Sequence, residues 1–386
     1  MAIRKTASGK WEARWRTPDG NMRGKAFTQK KMAERFLRDL EVSKDRGTYV
    51  EPSLGRVTLS EWWGRYQETA TNLRASTRST YTTMMTRHVL PTLGNKRIAA
   101  ITRMDVEAWV GKLAQEGVGA PTIRAAHITL RRVLETGVTA GVIGVNHAKG
   151  VQTPKGQSSE MRFLSPQEID RLANTVPSRY RALVLFLAYT GLRIGEAAAL
   201  RLDSLNLLKG TVRVVEAYSV VNGNMILGEC KTKGSKRAVS IPRFVCEELA
   251  RHLEQFPPGP NGLVFAGEQG AALNRNNFRG RVWLKACEEA GLVKPWPRVH
   301  DLRHTSVALA ILAGAHPKQI QARAGHSSIV MTMDTYGHLF PGEDQDLADR
   351  LDAIGRGDSD VVRMWSAERE ENVLPLNSQV SSSSGG

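Results

Sequence analysis

The stretch KWEARWR alternates with period two, Trp11, Ala13 and Trp15 interleaving with Glu12, Arg14 and Arg16, and this predicts a half-buried strand. TPDGN supplies a turn and MRGKAF a returning strand. Thr28 then caps a predicted helix, TQKKMAERFLRDLEVSKDRG, with Met32, Phe36, Leu37 and Leu40 on its inner face. Through residues 57–153 the period shifts to that of a helix. VTLSEWWGRYQETA, ASTRSTYTTMMTRHVLPTLG, TRMDVEAWVGKLAQEG and GAPTIRAAHITLRRVLETGVTAG each join a cap or Pro start to helical spacing and a Gly exit. TPKGQSSE, Thr153 to Glu160, has no periodicity and reads as a linker.

Residues 161–342 mix helix and strand. LSPQEIDRLANTV opens on Ser165 as cap, Pro166 in the first turn and Glu168 as capping-box partner. RYRALVLFLAYTG is nearly all apolar, a buried helix, whereas GTVRVVEAYSVVNGN and RAVSIP are strand-like with a turn at Asn222–Gly223. Near the end, Ile329, Val330, Met333 and Tyr336 recur at three- and four-residue steps, so periodicity alone makes Tyr336 one more residue of an apolar stripe. The closing NSQVSSSSGG is low-complexity and predicts disorder.

Composition narrows the class. A hydrophobic fraction of 41% over 386 residues is that of a globular protein with room for two or three domains. No apolar run spans a membrane and MAIRKTASGK has no signal core, so a cytoplasmic location is expected. Cys230, Cys246 and Cys287 are too few and too irregular for a disulfide framework or a zinc site. Charge changes the picture more. The chain carries a formal +16, with +22 in residues 1–342 and −6 in 343–386. A basic body with an acidic tail suggests a polyanionic partner, nucleic acid first. Arg78, Arg87, Arg124, Arg131 and Arg132 give the helical module its own positive balance, and Arg14, Arg16, Arg23 and Lys25 in the first module with Arg78, Arg124 and Arg131 in the helical one are the candidate contacts.

Candidate chemistry gathers in the last domain. Arg193 lies in TGLRIGEAAALRLDSLN, Lys231 in the basic turn of ECKTKGSKRAVSIP, His300 and Arg303 in VHDLRHTSVALAILAG, and His326 ten residues before Tyr336 in AGHSSIVMTMDTYGHL. Guanidinium pairs grip phosphodiester oxygens in fork geometry, imidazoles donate to the same oxygens or move protons, and a lysine can protonate a departing alkoxide. Tyr336 is the candidate nucleophile, a phenol that clustered cations and a histidine could activate. His300 and His304 have the spacing of a zinc-protease helix, but Asp301 stands where such a site needs Glu and Arg303 adds a cation, so His304 reads as a packed structural residue.

TGLRIGEAAALRLDSLN, HDLRHTSVALAILAG and GHSSIVMTMDTYGHL, in this order, resemble the three signature boxes of the tyrosine recombinase (phage integrase) family, strongly over residues 160–345 and more weakly over 57–153. The resemblance implies a multidomain protein. A small α+β arm-site DNA-binding module (short sheet plus helix) spans 1–56, an all-α core-site DNA-binding domain 57–153, a linker 154–160, a mainly α catalytic domain with a small antiparallel sheet 161–342, and an acidic, partly disordered tail 343–386. It implies that Arg193 and Arg303 grip the phosphate, that His300 assists proton transfer and His326 contacts the phosphate. Lys231 (with Lys233 and Lys236 in the same turn as alternatives) protonates the leaving 5′-oxygen, Tyr336 attacks, and Glu196 supports Arg193. It further implies a 3′-phosphotyrosyl intermediate without metal, ATP or other cofactor, and integration and excision of a phage or mobile element. The implied partners are double-stranded DNA at core and arm sites, three further copies in a tetramer, a host DNA-bending protein and a directionality factor. A type IB topoisomerase and a non-catalytic DNA-binding regulator are the rival readings.

Overall fold

A computed structural model describes residues 2–16, 20, 22–45, 54–156, 161–229, 236–259, 261–267, 269–325 and 328–340, with 348, 349, 351, 352 and 356 beyond. The chain divides into two compact units, Met1–Glu160 with Ser219–Ile226, and Met161–Tyr218 with Leu227–Gly386. Helix dominates, with small antiparallel sheets.

The first unit opens with a three-stranded meander, β1 (Ala2–Lys5), β2 (Trp11–Arg16) and β3 (Met22–Phe27), followed by α1 (Lys30–Asp45). β1 falls in a stretch whose sequence carries no strand pattern, and it pairs with β2 from Ala2↔Arg14 to Lys5↔Trp11. The helix packs on the face bearing Ala13 and Trp15, contributing Ala33, Leu37 and Leu40, with Phe36 at the edge. Met32, expected inside, is 50% exposed, and Ala33, fully buried, takes the core position beside it.

The pleat also divides the basic residues of this sheet. Trp15 pairs with Arg23 and Ala13 with Lys25, whereas Arg14 pairs with Gly24 and Arg16 with Met22. Directly paired residues share a face, so Arg14 and Arg16 lie on the open face and Arg23 and Lys25 on the helix side. Lys25 Nζ sits 4.8 Å from the Phe36 ring centroid.

Five helices follow in the first unit. They are α2 (Leu59–Thr69), α3 (Ala75–Met84), α4 (Leu90–Leu93), α5 (Arg103–Gln115) and α6 (Ala120–Thr139). Capping boxes start α2 (Thr58 with Glu61) and α5 (Thr102 with Asp105), satisfying backbone N–H groups that have no partner inside the helix. A π-turn at Met85–Val89 joins α3 to α4. Trp62, Met85, Trp109, Ile123, Leu130 and Leu134 fill the core, and Trp109 Nε1 donates to the His88 carbonyl at 2.7 Å. Arg78, Arg87, Arg124, Arg131 and Arg132 are exposed.

In the second unit, α7 (Pro166–Thr175) carries the expected Ser165–Glu168 capping box, and α8 (Ser178–Thr190) is buried on nearly every side. α9 (Ile194–Ala198) leads to β4 (Leu205–Asn206), β5 (Thr211–Val214), the hairpin of β6 (Glu216–Val221) and β7 (Asn224–Glu229), whose Ser219–Ile226 part is assigned to the first unit, and β8 (Arg237–Ser240). Asn222 and Gly223 both have positive φ, the mirror-image turn that suits the twist of a two-residue hairpin. The sheet order is β4-β5-β8. Helices α10 (Arg243–Gln255), α11 (Arg275–Phe278), α12 (Leu284–Glu289), α13 (Asp301–Leu312), α14 (Pro317–Ala324) and α15 (Ile329–Tyr336) complete the unit. Trp283, fully buried, donates its indole N–H to the Pro297 carbonyl. Among the described residues no helix is long and apolar enough to cross a membrane.

Candidate active site

Glycine turns bring Arg193 into place. Gly191, at φ +70°, ends α8 in the left-handed conformation, and two residues later Arg193 is the N-cap of α9. Glu196, three residues on, folds back so that its carboxylate accepts the Arg193 backbone N–H at 2.9 Å and the Arg193 Nη1 at 2.8 Å. Arg237 completes this arrangement. In β8 it pairs with Val214, and Val239 pairs with Val212, so the pleat points Arg237 to the same inner face as three core valines. A guanidinium sent there needs an anion, and Glu196 is it, with Nη2 to Oε2 at 3.0 Å and side chains 6% and 3% exposed. Burial pushes the Glu196 carboxyl up, but Arg237, by hydrogen bond and charge, and then Arg193 leave it below the ordinary value.

Three arginines brace the ends of two helices. Arg303 is buried; its Nη1 donates to the Gly191 carbonyl at 2.6 Å and its Nη2 to the Ala324 carbonyl. Arg237 Nε donates to the Arg323 carbonyl, and Arg323 in turn to the carbonyls of Tyr189 and Ser240. The last carbonyls of a helix lack intrahelical donors, and here guanidinium groups supply them for α8 and α14. The brace runs up to Gly325, which caps α14 at φ +66° and precedes His326 in the chain.

The start of α13 carries the rest. His300 is its N-cap, and Asp301 accepts the backbone N–H and guanidinium of Arg298. His300 is solvent-exposed, yet its pKa is pushed below the ordinary imidazole range by the protein packed about its ring, then by His304, Arg303 and Arg193. Arg303 is lowered to about 10, burial first and Arg193 next. One helical turn beyond His300, His304 stacks edge-on against it with ring centroids 5.0 Å apart. On its other side, His304 Nδ1 lies 2.5 Å from the Tyr336 hydroxyl.

Tyr336 ends α15, is 2% exposed, and belongs to a small cluster with Val307, Ile311, Ile320 and Ala324. The apolar stripe expected on this helix is not its buried face. Val330 and Met333 are 57% and 41% exposed, whereas Thr332 and Tyr336 are buried. Nor do the cations lower the phenol: burial raises its pKa and outweighs Arg303, and Asp301 adds to the rise. In this resting arrangement the tyrosine is protonated at neutral pH.

Of the residues singled out in the sequence, Arg193, Glu196, His300, Arg303 and Tyr336 thus meet in one electrostatically coupled cluster. Lys231, Lys233 and His326 lie outside the described residues, as does most of the acidic tail. Three contributors were missed, Arg237, Gly191 and Gly195, and His304, expected only to pack, joins them. Their signals in the sequence are a lone arginine opening a valine-bearing strand, two glycines flanking Leu192–Ile194, and a histidine one residue past Arg303. Among the described residues no group of three or more His, Cys, Asp or Glu is placed to hold a metal ion.

Gly195 makes its contribution by having no side chain. A Cβ there would stand 2.4 Å from the Tyr218 carbonyl oxygen, so α9 and β6 could not keep their spacing. Gly195→Ala is expected to shift the Arg193–Glu196 turn. It should slow the DNA cleavage that the resemblance implies roughly 100-fold, with thermal melting run in parallel to show that the variant is folded.

Residues 162–343 match the phage integrase family, and residues 58–114 match the phage integrase N-terminal SAM-like domain. The chain belongs to the phage integrase family. The integrase of Mycobacterium phage L5 is 26% identical over 373 residues, covering 92% of this chain and 98% of that one. Among solved structures, the Tn1549 transposon integrase in complex with a circular intermediate DNA is similar with a TM-score of 0.68. It is 18% identical and covers 76% of this chain and 99% of its own. A lambda integrase tetramer bound to a Holliday junction is similar at a TM-score of 0.55 and 19% identity, over 84% and 95% of the two chains. Its family places the protein among the tyrosine-type site-specific recombinases.

Proposed function

We propose that this integrase-family recombinase cuts and rejoins DNA with Tyr336 as nucleophile, and so integrates and excises a phage or mobile element. The observation that carries the assignment is the Tyr336 hydroxyl set against a histidine within a cluster of cations drawn from α9, β8 and α13. Arg193 and Arg303 hold the non-bridging oxygens of the scissile phosphate, each as a fork of N–H donors. Of the five N–H donors of Arg303, two are committed to carbonyls among the described residues, which fixes the plane in which the others point. His300, exposed at the start of α13 and near Arg193, serves the phosphate side. Lys231 protonates the leaving 5′-oxygen and His326 contacts the phosphate, roles carried over from the resemblance.

Attack by the Tyr336 oxygen on phosphorus forms the 3′-phosphotyrosyl ester and breaks the bond to the 5′-oxygen. Reversal by the 5′-hydroxyl of a partner strand rejoins the DNA. One phosphoester is exchanged for another, so the sequence needs no external energy source. The cations meet the negative charge that develops on the pentavalent phosphorane. Residues 1–56 serve as the arm-site module, 57–153 as the core-site domain, 161–342 as the catalytic domain and 343–386 as a tail that docks on a neighbour. The active assembly is four protomers on two duplexes, a reading supported by the likeness to the lambda integrase tetramer.

The test uses a supercoiled plasmid carrying both junction sequences of the element that encodes the protein. The expected result is exchange between the two junctions. Relaxation of a plasmid lacking those junctions would favour a type IB topoisomerase-like activity, and binding without strand transfer would favour a DNA-binding regulator.

A further inference from the structure

We propose that His304 is the base that takes the phenolic proton of Tyr336. This inference rests on Tyr336 being the nucleophile, and it assigns a part of the reaction that the resemblance gave to His300.

The contact is direct. His304 Nδ1 stands 2.5 Å from the Tyr336 hydroxyl, whereas the His300 ring meets the His304 ring, 5.0 Å between centroids. His304 therefore lies between the nucleophile and His300, the latter being open to solvent and under the influence of Arg193. The charges around His304 bear on its readiness to act as a base. The groups acting on it are Asp301, Arg298 and Arg303 from its own helix and the loop before it, with His300 a turn below and Tyr336 from α15. Burial, with Arg298 and Arg303, outweighs Asp301 and holds the imidazole below its ordinary pKa. The neutral ring has one bare nitrogen, and the proposed role takes the tautomer in which Nδ1 accepts from the phenol and Nε2 carries the ring proton.

The step balances without another reactant. As the Tyr336 oxygen bonds to phosphorus, its proton passes to His304 Nδ1 and the bond to the 5′-oxygen breaks, that oxygen taking its proton from the general acid. On rejoining, the 5′-hydroxyl attacks, the tyrosine oxygen leaves, and the imidazolium returns the proton to it. An imidazole whose pKa lies below neutrality is a ready acceptor at physiological pH, and a general base in contact contributes typically 10²–10⁴-fold.

The experiment measures covalent adduct formation by the full-length protein on a nicked duplex spanning its element's junction. Wild type is compared with His304→Ala, His304→Gln and Tyr336→Phe, over pH 5–9, with DNA binding and thermal melting alongside. Glutamine keeps an acceptor for the hydroxyl but takes up no proton, so it separates positioning from base catalysis. The expected result is a fall of roughly 10²–10⁴-fold in both His304 variants. The wild-type rate should decline as pH falls through the His304 pKa, and that acid limb should be absent from the glutamine variant. A glutamine variant that cleaves at the wild-type rate with the acid limb intact would overturn the proposal, as would an alanine variant that cleaves faster than wild type. An adduct from Tyr336→Phe would instead remove the nucleophile assignment itself, whatever the His304 variants do.

Discussion

Arg303→Lys should slow covalent adduct formation by roughly 10²–10³-fold, the loss typical of removing one preorganised donor to transition-state charge. The positive charge survives this substitution, so the effect isolates geometry. Arg303 uses two guanidinium nitrogens to hold the carbonyls of Gly191 and Ala324, and in doing so fixes the end of α8 to the end of α14. A lysine ammonium is a single point of donation on a flexible stem and cannot span both carbonyls while addressing a phosphate. The carbonyl left unpaired would be buried at the site where His326 follows α14 in the chain. Cleavage kinetics on a nicked duplex, with affinity for the intact duplex measured in parallel, checks this. The rate should fall far more than the affinity.

Glu196→Ala should destabilise the protein by about 3–5 kcal/mol, because it removes one partner of a buried ion pair. Arg237 is the other partner, with a side chain 6% exposed and turned inward by the pleat of β8. Arg193 loses both its backbone and guanidinium acceptor in the same substitution. Chemical denaturation of the variant measures the stability loss, and cleavage should fall with it. The pH dependence has a definite sign. The folded-state pKa of Glu196 lies below its ordinary value of 4.5, so its contribution is complete above that pH and is lost as pH falls through the lower, folded-state value. Glu196→Gln removes this acid-dependent part, and its denaturation midpoint should change less between pH 6 and pH 3 than that of wild type.

Much of the helical architecture was legible because it depends on local chemistry. Ser165 and Glu168 cap a helix where their hydroxyl and carboxylate predict, and the nearly unbroken apolar run LVLFLAY gives a buried α8. β1 was not legible: Ala2–Lys5 is a strand because β2 offers an edge to pair with, not because of its own pattern. Met32 and the Val330–Met333 stripe illustrate the same limit. Apolar spacing identifies a helix but not which flank a neighbour covers, and on α15 the covered flank runs through Thr332 and Tyr336.

At the candidate site, residue types whose chemistry is distinctive stood out in the sequence, among them Arg193, His300, Arg303 and Tyr336, and the structure brings them together. The supports did not stand out. Arg237 acts as a counter-charge only because β8 pairs in one register with β5, and Gly195 matters only because a carbonyl from β6 comes within contact distance. His304 had been read as a packing residue; its meeting with Tyr336, 32 positions away in the chain, is decided by how α13 and α15 converge. The lowered phenol pKa anticipated from clustered cations is absent for a related reason. Burial dominates at the phenol, and the activation proposed for Tyr336 works by removal of its proton.

The most direct test of this account is covalent trapping on a nicked duplex spanning the element's junction, wild type against Tyr336→Phe. A protein–DNA adduct, stable to denaturant and carried on the peptide that contains Tyr336, is expected with wild type and none with the variant. An adduct formed by Tyr336→Phe, or a wild-type adduct mapped to another residue, would contradict it.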